Sequence, residues 1–375
     1  MRFSTLVFRN LTRRAYRSLL TLTALATAIA CVISLLGIAN GFTKSFADVY
    51  AAHSVDIVVS RQGAADRLSS SIDQQAVGKI QALSVADRAS GVLLETLSFE
   101  EQSIFGVPTM GIERGSWILN DYDLKAGKLF SANNDPELLL GIHLADRLNA
   151  VVGQTLRLFD KDFRVQGIYA SQSAWENGSM VLPLDQLQAL TDRNGQLTYI
   201  NVILRRPIDQ IGLQNAVKSI QAIDPRILAM ATDEFVRTDS RMQLASAMAW
   251  MTSTIALVIG AIGTFNTMMT SVMERTVEIG ILRAIGWPKR RVVLMILLES
   301  CGLAIAACII GSILATLLTW GLGQSSIAKG ILRPSIDLAI FAQGWLLAIG
   351  IGLIGAGIPA WRASQMLPTS AFRVA

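Results

Sequence analysis

Glu299 is the one charged residue between Val292 and Ala328. A carboxylate set among apolar residues is costly, and it marks either a polar site for a substrate or a group held by a cation at the membrane edge. It falls about two helical turns into the stretch. Snorkelling, or pairing with Arg290 or Arg291, therefore stands beside a substrate role. Other constellations are missing. Gly78-Lys79 and Gly127-Lys128 are followed by Ile80 and Leu129, without the upstream glycine of a phosphate-binding loop. There is no HExxH, GxSxG or CxxC. The two histidines, His53 and His143, are far apart, and Cys31, Cys301 and Cys308 all sit in apolar runs. This leaves little material for a disulfide framework or a metal centre. The pairs Asp121 and Asp123, and Glu100 and Glu101, read as solvated surface. We expect no catalytic, cofactor-binding or metal-binding residue, and a non-catalytic chain.

The composition explains where such a glutamate can stand. The chain of 375 residues is 51% hydrophobic and 16% charged, against about 25% charge in a soluble domain. The deficit is concentrated in four runs, 18–43, 242–273, 292–323 and 338–361. Each is long enough to cross the roughly 30 Å hydrocarbon core as a helix. The first is a span rather than a signal peptide, because apolar residues continue past Cys31 to Ile38. Arginines and lysines set the orientation. Arg2, Arg9, Arg13, Arg14 and Arg17 precede the first run; Arg275, Arg283, Lys289, Arg290 and Arg291 lie between the second and third; Arg362 and Arg373 follow the fourth. These segments share a side if there are four crossings, and that side is the cytoplasmic one. The intervening 43–241 carries about 24 acids against about 19 bases, which suits the outside. Basic residues thus flank membrane spans, which accounts for the net charge of +5 without nucleic acid.

The expected fold class is an α-helical membrane protein with four transmembrane helices, with an α+β extracytoplasmic domain of two lobes inserted between helices 1 and 2. Residues 1–17, with Phe3, Leu6, Val7 and Leu11 on one face, suggest an interfacial helix. The external domain covers 44–232. An outer α/β lobe takes 44–110 and 199–232, and a β-rich lobe takes 111–198. Strands are expected at 55–59, 156–158, 163–168, 181–182 and 199–204, with a turn at Asp160-Lys161-Asp162. Helices are expected at 72–83, 184–190 and 208–220. From 233 to 273, with Thr232 as N-cap, a single helix of about 41 residues would reach roughly 60 Å. Half of it would stand outside the membrane as a stalk, and the first span extends similarly through Phe46 to Ala52. A loop at 324–337 and a tail at 362–375 complete the layout. Glycines at 344, 350, 352, 355 and 357 in the fourth span, and at 260 and 263 in the second, predict close helix packing.

The segment 274–291 joins charge with apolar residues. It reads Glu274-Arg275-Thr276-Val277-Glu278-Ile279-Gly280-Ile281-Leu282-Arg283-Ala284-Ile285-Gly286 and then Trp287-Pro288-Lys289-Arg290-Arg291. By physics alone it is either a plain connector or an amphipathic surface that docks into a partner. This segment closely resembles the cytoplasmic signature of the MacB/FtsX family of ABC transporter permeases. The ending Pro359-Ala360-Trp361-Arg362-Ala363 through Pro368-Thr369-Ser370-Ala371-Phe372-Arg373, the opening Arg9-Asn10-Leu11-Thr12-Arg13-Arg14, and the external Gly127-Lys128-Leu129-Phe130, Gly141-Ile142-His143-Leu144-Ala145 and Phe163-Arg164-Val165-Gln166-Gly167-Ile168 are similar to the same family.

The resemblance implies the type VII, mechanotransmission class: a permease homodimer in the bacterial inner membrane, with its large domain in the periplasm. Glu274, Arg275, Glu278, Ile279, Gly280, Leu282, Arg283, Ala284 and Gly286 would couple to a cytoplasmic ABC ATPase. ATP would be bound by that partner, expected here as a separate polypeptide. A periplasmic adaptor of the membrane fusion type and an outer-membrane channel are further implied partners, with membrane lipid. The expected role is export driven by motion of the periplasmic domain. Lipoprotein release, FtsX-like regulation of a periplasmic enzyme, and an ATPase-independent receptor are the alternatives.

Overall fold

The computed structural model describes residues 15–64, 69–324 and 335–366, with side chains from Leu19 onward. The expected interfacial helix, save residues 15–17, lies outside the described residues, as do 65–68, 325–334 and the tail from Leu367. The chain forms two units. One contains residues 41–245. The other contains the chain up to Asn40 with the helical stretches 246–322 and 335–366.

The first unit is built on a ten-stranded sheet. Its strands are β1 (Ile57–Arg61), β3 (Ala86–Phe99), β4 (Ile104–Ile112), β5 (Asp123–Gly127), β6 (Glu137–Gly141), β7 (Thr155–Leu158), β8 (Lys161–Ala170), β9 (Met180–Pro183), β11 (Tyr199–Leu204) and β12 (Ile227–Ala231). A small separate ladder pairs β2 (Ile72–Asp73) with β10 (Gln196–Leu197). The order is β12-β1-β11-β3-β4-β9-β6-β8-β5, with β7 beside β8. The segments expected as an outer and an inserted lobe share this sheet, joined where β4 pairs in parallel with β9.

Alternation along the strands explains why the sheet is covered on both faces. Ile57 and Val59, Leu138 and Leu140, and Met180 and Leu182 point into one apolar core. Val58, Leu139 and Val181, the residues between them, point into another. Four helices close the first face: α2 (Gln75–Gln81), α4 (Ile142–Leu148), α6 (Leu184–Leu190) and α7 (Gln210–Gln221). The second face is closed by α3 (Trp117–Asn120), α8 (Thr232–Thr238) and the end of α1 (Ala15–Ala52). Tyr50 of α1 is 1% exposed and lies edge-on to Phe46, Tyr199 and Phe235. This aromatic cluster seats the last turns of α1 and the short α8 on the same sheet face.

Several expectations shift. Ile72 is in a strand rather than a helix, because the Asp73 carboxylate accepts the Gln75 N–H and α2 starts only there. The β7–β8 turn is tighter than Asp160–Asp162, with Leu158 paired to Lys161 and Phe159 left-handed at φ 52°. The single helix expected over 233–273 is two. Asp239 is extended (φ −61°, ψ 125°), and its carboxylate accepts the Arg241 N–H at 3.0 Å. It is thus the N-cap of a new helix, α9 (Ser240–Glu274). Thr232 is the first residue of α8, and its hydroxyl donates to the Val55 carbonyl instead of capping. Asp121 is not simple surface, since His53 binds its carboxylate.

Gly141, between β6 and α4, shows how tightly this domain closes. A Cβ there would lie 2.5 Å from the carbonyl oxygens of both Glu176 and Asn177, in α5 (Ala174–Asn177). Backbone atoms cannot yield as a side chain can. Gly141→Ala is expected to cost about 1–3 kcal/mol, read as a lower midpoint of thermal unfolding.

The second unit contains the remaining long helices, α11 (Lys289–Gln324) and α12 (Leu338–Ser364), with α1 and α9. All four are long and apolar enough to cross a membrane. Small residues let them approach. A Cβ on Gly260 would meet Ala28, on Gly311 the Ala26 carbonyl, on Gly344 Ile33, on Gly352 Ala304, and on Gly355 the Ala261 carbonyl. Gly350 and Gly357 have open space instead. Ser300 donates to the Gly352 carbonyl at 2.8 Å, fastening α11 to α12.

Candidate functional site

Between α9 and α11 the chain forms one more helix, α10 (Thr276–Ala284). Its stop signal is local. Gly286 takes φ +98°, a conformation that favours glycine. Its N–H bonds to the Arg283 carbonyl, and the Trp287 N–H reaches back to the Leu282 carbonyl. These two bonds are the Schellman closure of a helix C-terminus. Pro288 then ends the turn, and α11 begins at Lys289. Leu282 and Trp287, the hydrophobic pair that accompanies this closure, pack into a cluster with Val272, Ile279, Val292 and Ile296.

The helix has two faces. Ile279 and Gly280 are buried, and Leu282 and Arg283 are half-buried, with Arg283 Nη1 donating to the Trp287 carbonyl at 2.8 Å. Glu274, Glu278, Ile281, Ala284, Ile285 and Gly286 are exposed. Glu278, Ile281 and Ile285 follow the i, i+3, i+7 spacing of one helical face. Ile285 is 74% exposed. The expected residues therefore fall on or directly beside one short helix, but on opposite sides of it. Ile281 and Ile285 complete the outer face, and the helical spacing of apolar residues was the signal for them.

Arg275 lies at the N-cap of α10 and is buried with Glu299. Its Nη1 is 3.0 Å from Glu299 Oε2, among Met268, Val272, Ile279, Met295 and Ile296. The expected partners, Arg290 and Arg291, are exposed. The geometry explains the choice. From Arg275 the chain runs out about 13 Å along α10, turns, and returns about 15 Å along α11 to Glu299. Equal arms bring the two ends together. Arginine at position 290 or 291 sits at the turn, too far from Glu299 along its own helix. Among the described residues, no group of three His, Cys, Asp or Glu is placed to hold a metal ion.

Residues 18–220 match the MacB-like periplasmic core domain, and residues 250–368 match the FtsX-like permease C-terminal domain. The macrolide export ATP-binding/permease protein MacB of Haemophilus ducreyi is 24% identical over 98% of this chain and 55% of its own length. MacB of Acinetobacter baylyi is 28% identical over 59% of this chain and 34% of its own. An uncharacterised ABC transporter permease of Methanocaldococcus jannaschii is 24% identical over 67% and 66%. The chain thus spans between a third and two thirds of the length of these relatives. Among solved structures, the periplasmic region of MacB from Actinobacillus actinomycetemcomitans aligns with 49% of this chain and 92% of its own, at TM-score 0.40 and 14% identity. The two family models together match most of the chain, and it belongs to the MacB/FtsX family of ABC transporter permeases.

Proposed function

We propose that this chain is the non-catalytic permease subunit of an ATP-driven exporter in a bacterial inner membrane. A cytoplasmic ABC ATPase docks on the outer face of α10, and its cycle moves the periplasmic domain to expel cargo. The observation that carries this reading is the division of α10: one face is fixed to the helical unit by apolar packing and the Arg275–Glu299 pair, and the other presents Glu278, Ile281 and Ile285. A plain connector has no need of an exposed apolar pair on a well-capped helix.

The transmitting elements are α1 and α9. At 35 residues, α9 is about 52 Å long, more than a hydrocarbon core requires. Phe46, Val49 and Tyr50 of α1 and Met242 of α9 are built into the core of the sheet domain. Both rods are therefore anchored at their outer ends, which suits transmission of force. The apolar face of α9, including Met248, Met251, Ile255, Ile259 and Ile262, is exposed, and a second copy of the chain or lipid covers it in this reading. An adaptor and an outer-membrane channel would complete the route outward.

Copurification of the tagged chain from native membranes, with mass spectrometry of its companions, tests the proposal. An ABC ATPase in equal amount is expected. A second, different four-span permease in the assembly would replace export by lipoprotein release. Recovery of an intact dimer without an ATPase would overturn the reading and leave a receptor. Macrolides, after which the MacB relatives are named, are the first cargo class to assay.

A further inference from the structure

His53 follows α1 directly, and its own N–H bonds to the Tyr50 carbonyl, so its ring hangs from the helix end. The residue is 4% exposed. Nδ1 lies 2.9 Å from Asp121 Oδ2, just beyond α3, and Nε2 lies 3.0 Å from Glu176 Oε1, in α5. Glu176 is itself fully engaged. Its Oε1 also accepts the Tyr122 hydroxyl, and its Oε2 accepts that of Ser171. An ionised carboxylate only accepts, so each imidazole nitrogen that meets one must donate. Both nitrogens donate only in the imidazolium. A neutral ring would turn a lone pair toward one of the two carboxylates.

We propose that His53 is a proton-dependent latch: charged, it fastens the end of α1 to the sheet domain between Asp121 and Glu176, and neutral, it loosens that joint. The surroundings bear this out. Burial pulls the imidazole pKa down, but hydrogen bonds and attraction from Glu176, and then from Asp121, outweigh it and raise the pKa above its ordinary value. A third titratable group against the ring is the Tyr122 phenol. Tyr122 lies edge-on at 5.4 Å and stacks on Tyr169 of β8, and burial first, then Glu176, holds both neutral. Trp117 of α3 also lies edge-on to the ring, at 6.2 Å. A raised folded pKa stabilises the fold fully below the unfolded value of about 6.5, and the contribution is lost as pH rises through the folded value. Protons thus tighten the joint and alkaline conditions loosen it. The inference needs neither an ATPase nor a cargo, so its failure would leave the permease reading intact.

The test is the thermal unfolding midpoint of the full chain in lipid nanodiscs, followed from about pH 6 to about pH 9. The wild type is expected to lose several degrees across this range. His53→Gln should start lower and stay flatter, meeting the wild type at the alkaline end. Asp121→Asn, on the more exposed carboxylate, removes one anion and should move the transition to lower pH. This variant keeps the test open if His53→Gln does not fold. Side-chain nitrogen resonances of labelled histidine should show His53 with both nitrogens protonated at about pH 6. Parallel pH profiles in the wild type and His53→Gln, an unmoved transition in Asp121→Asn, or a neutral ring at that pH would overturn the latch.

Discussion

Glu299→Ala is expected to destabilise the purified chain by about 3–5 kcal/mol, because it leaves Arg275 buried without its counter-ion. Arg275→Ala should cost a similar amount for the converse reason. The double replacement Arg275→Met with Glu299→Leu should regain most of the loss, since no unpaired charge remains and both side chains fill an apolar surround. Denaturant titration in mixed micelles measures these proteins, and the double alanine variant closes the cycle that yields the coupling energy of the pair. The same series separates two roles for Glu299. If the carboxylate served a substrate, Glu299→Gln would abolish transport while leaving stability near wild type, and the double variant would gain nothing over the singles. Additive losses in the double variant would therefore sink the structural pairing.

The pair also shows what a sequence does and does not disclose. The four spans are legible because absence of charge over twenty or more residues has almost no other physical reading. The helix at Leu184–Leu190 and the strand at Tyr199–Leu204 are legible for similar reasons. The first follows a proline at Pro183, and the second is a short apolar run bounded by turns. Asp239 escaped because one aspartate in a charged stretch looks like another solvated helix residue. Only the backbone reveals that it ends α8 and caps α9. Ile72 escaped because its apolar spacing continues that of α2, while the Asp73 turn that separates them is a side-chain hydrogen bond.

Long-range pairing is harder still to read. In the sequence Arg275 reads as part of a motif and Glu299 as a charge in an apolar run, and proximity favours Arg290 and Arg291 as its partners. The pairing depends on the reversal at Gly286 and on the equal length of the two arms. His53 offered even less. Its partners stand at positions 121 and 176, on segments whose meeting is decided by the order of the sheet. Strand alternation marks which residues enter a core, but it does not say which strands are neighbours. The parallel pairing of β4 with β9, which joins the two halves of the sheet, left no mark that periodicity could report.

The second large effect concerns the outer face of α10. Replacing Ile281 and Ile285 together by aspartate should leave unfolding of the isolated chain within about 0.5 kcal/mol of wild type, because both side chains are already exposed. Binding to the ATPase should fail. An isoleucine buried at a contact contributes about 1.5–3 kcal/mol, so two of them account for roughly a hundredfold or more in affinity. Ile279→Asp is the control from the opposite face. Ile279 is 2% exposed, and a carboxylate there must be desolvated beside the Arg275–Glu299 pair, so that variant should lose stability first. The two faces thus predict opposite patterns: stable but uncoupled for 281 and 285, unstable for 279. Affinity measured with the purified ATPase, alongside unfolding of the permease alone, distinguishes them. Undiminished affinity in the Ile281 and Ile285 double variant would mean that the ATPase engages another part of the cytoplasmic surface. The exposed isoleucines of α10 would then need a different occupant, with lipid headgroups the first to test, since Arg290 and Arg291 stand exposed in the adjoining turn of α11.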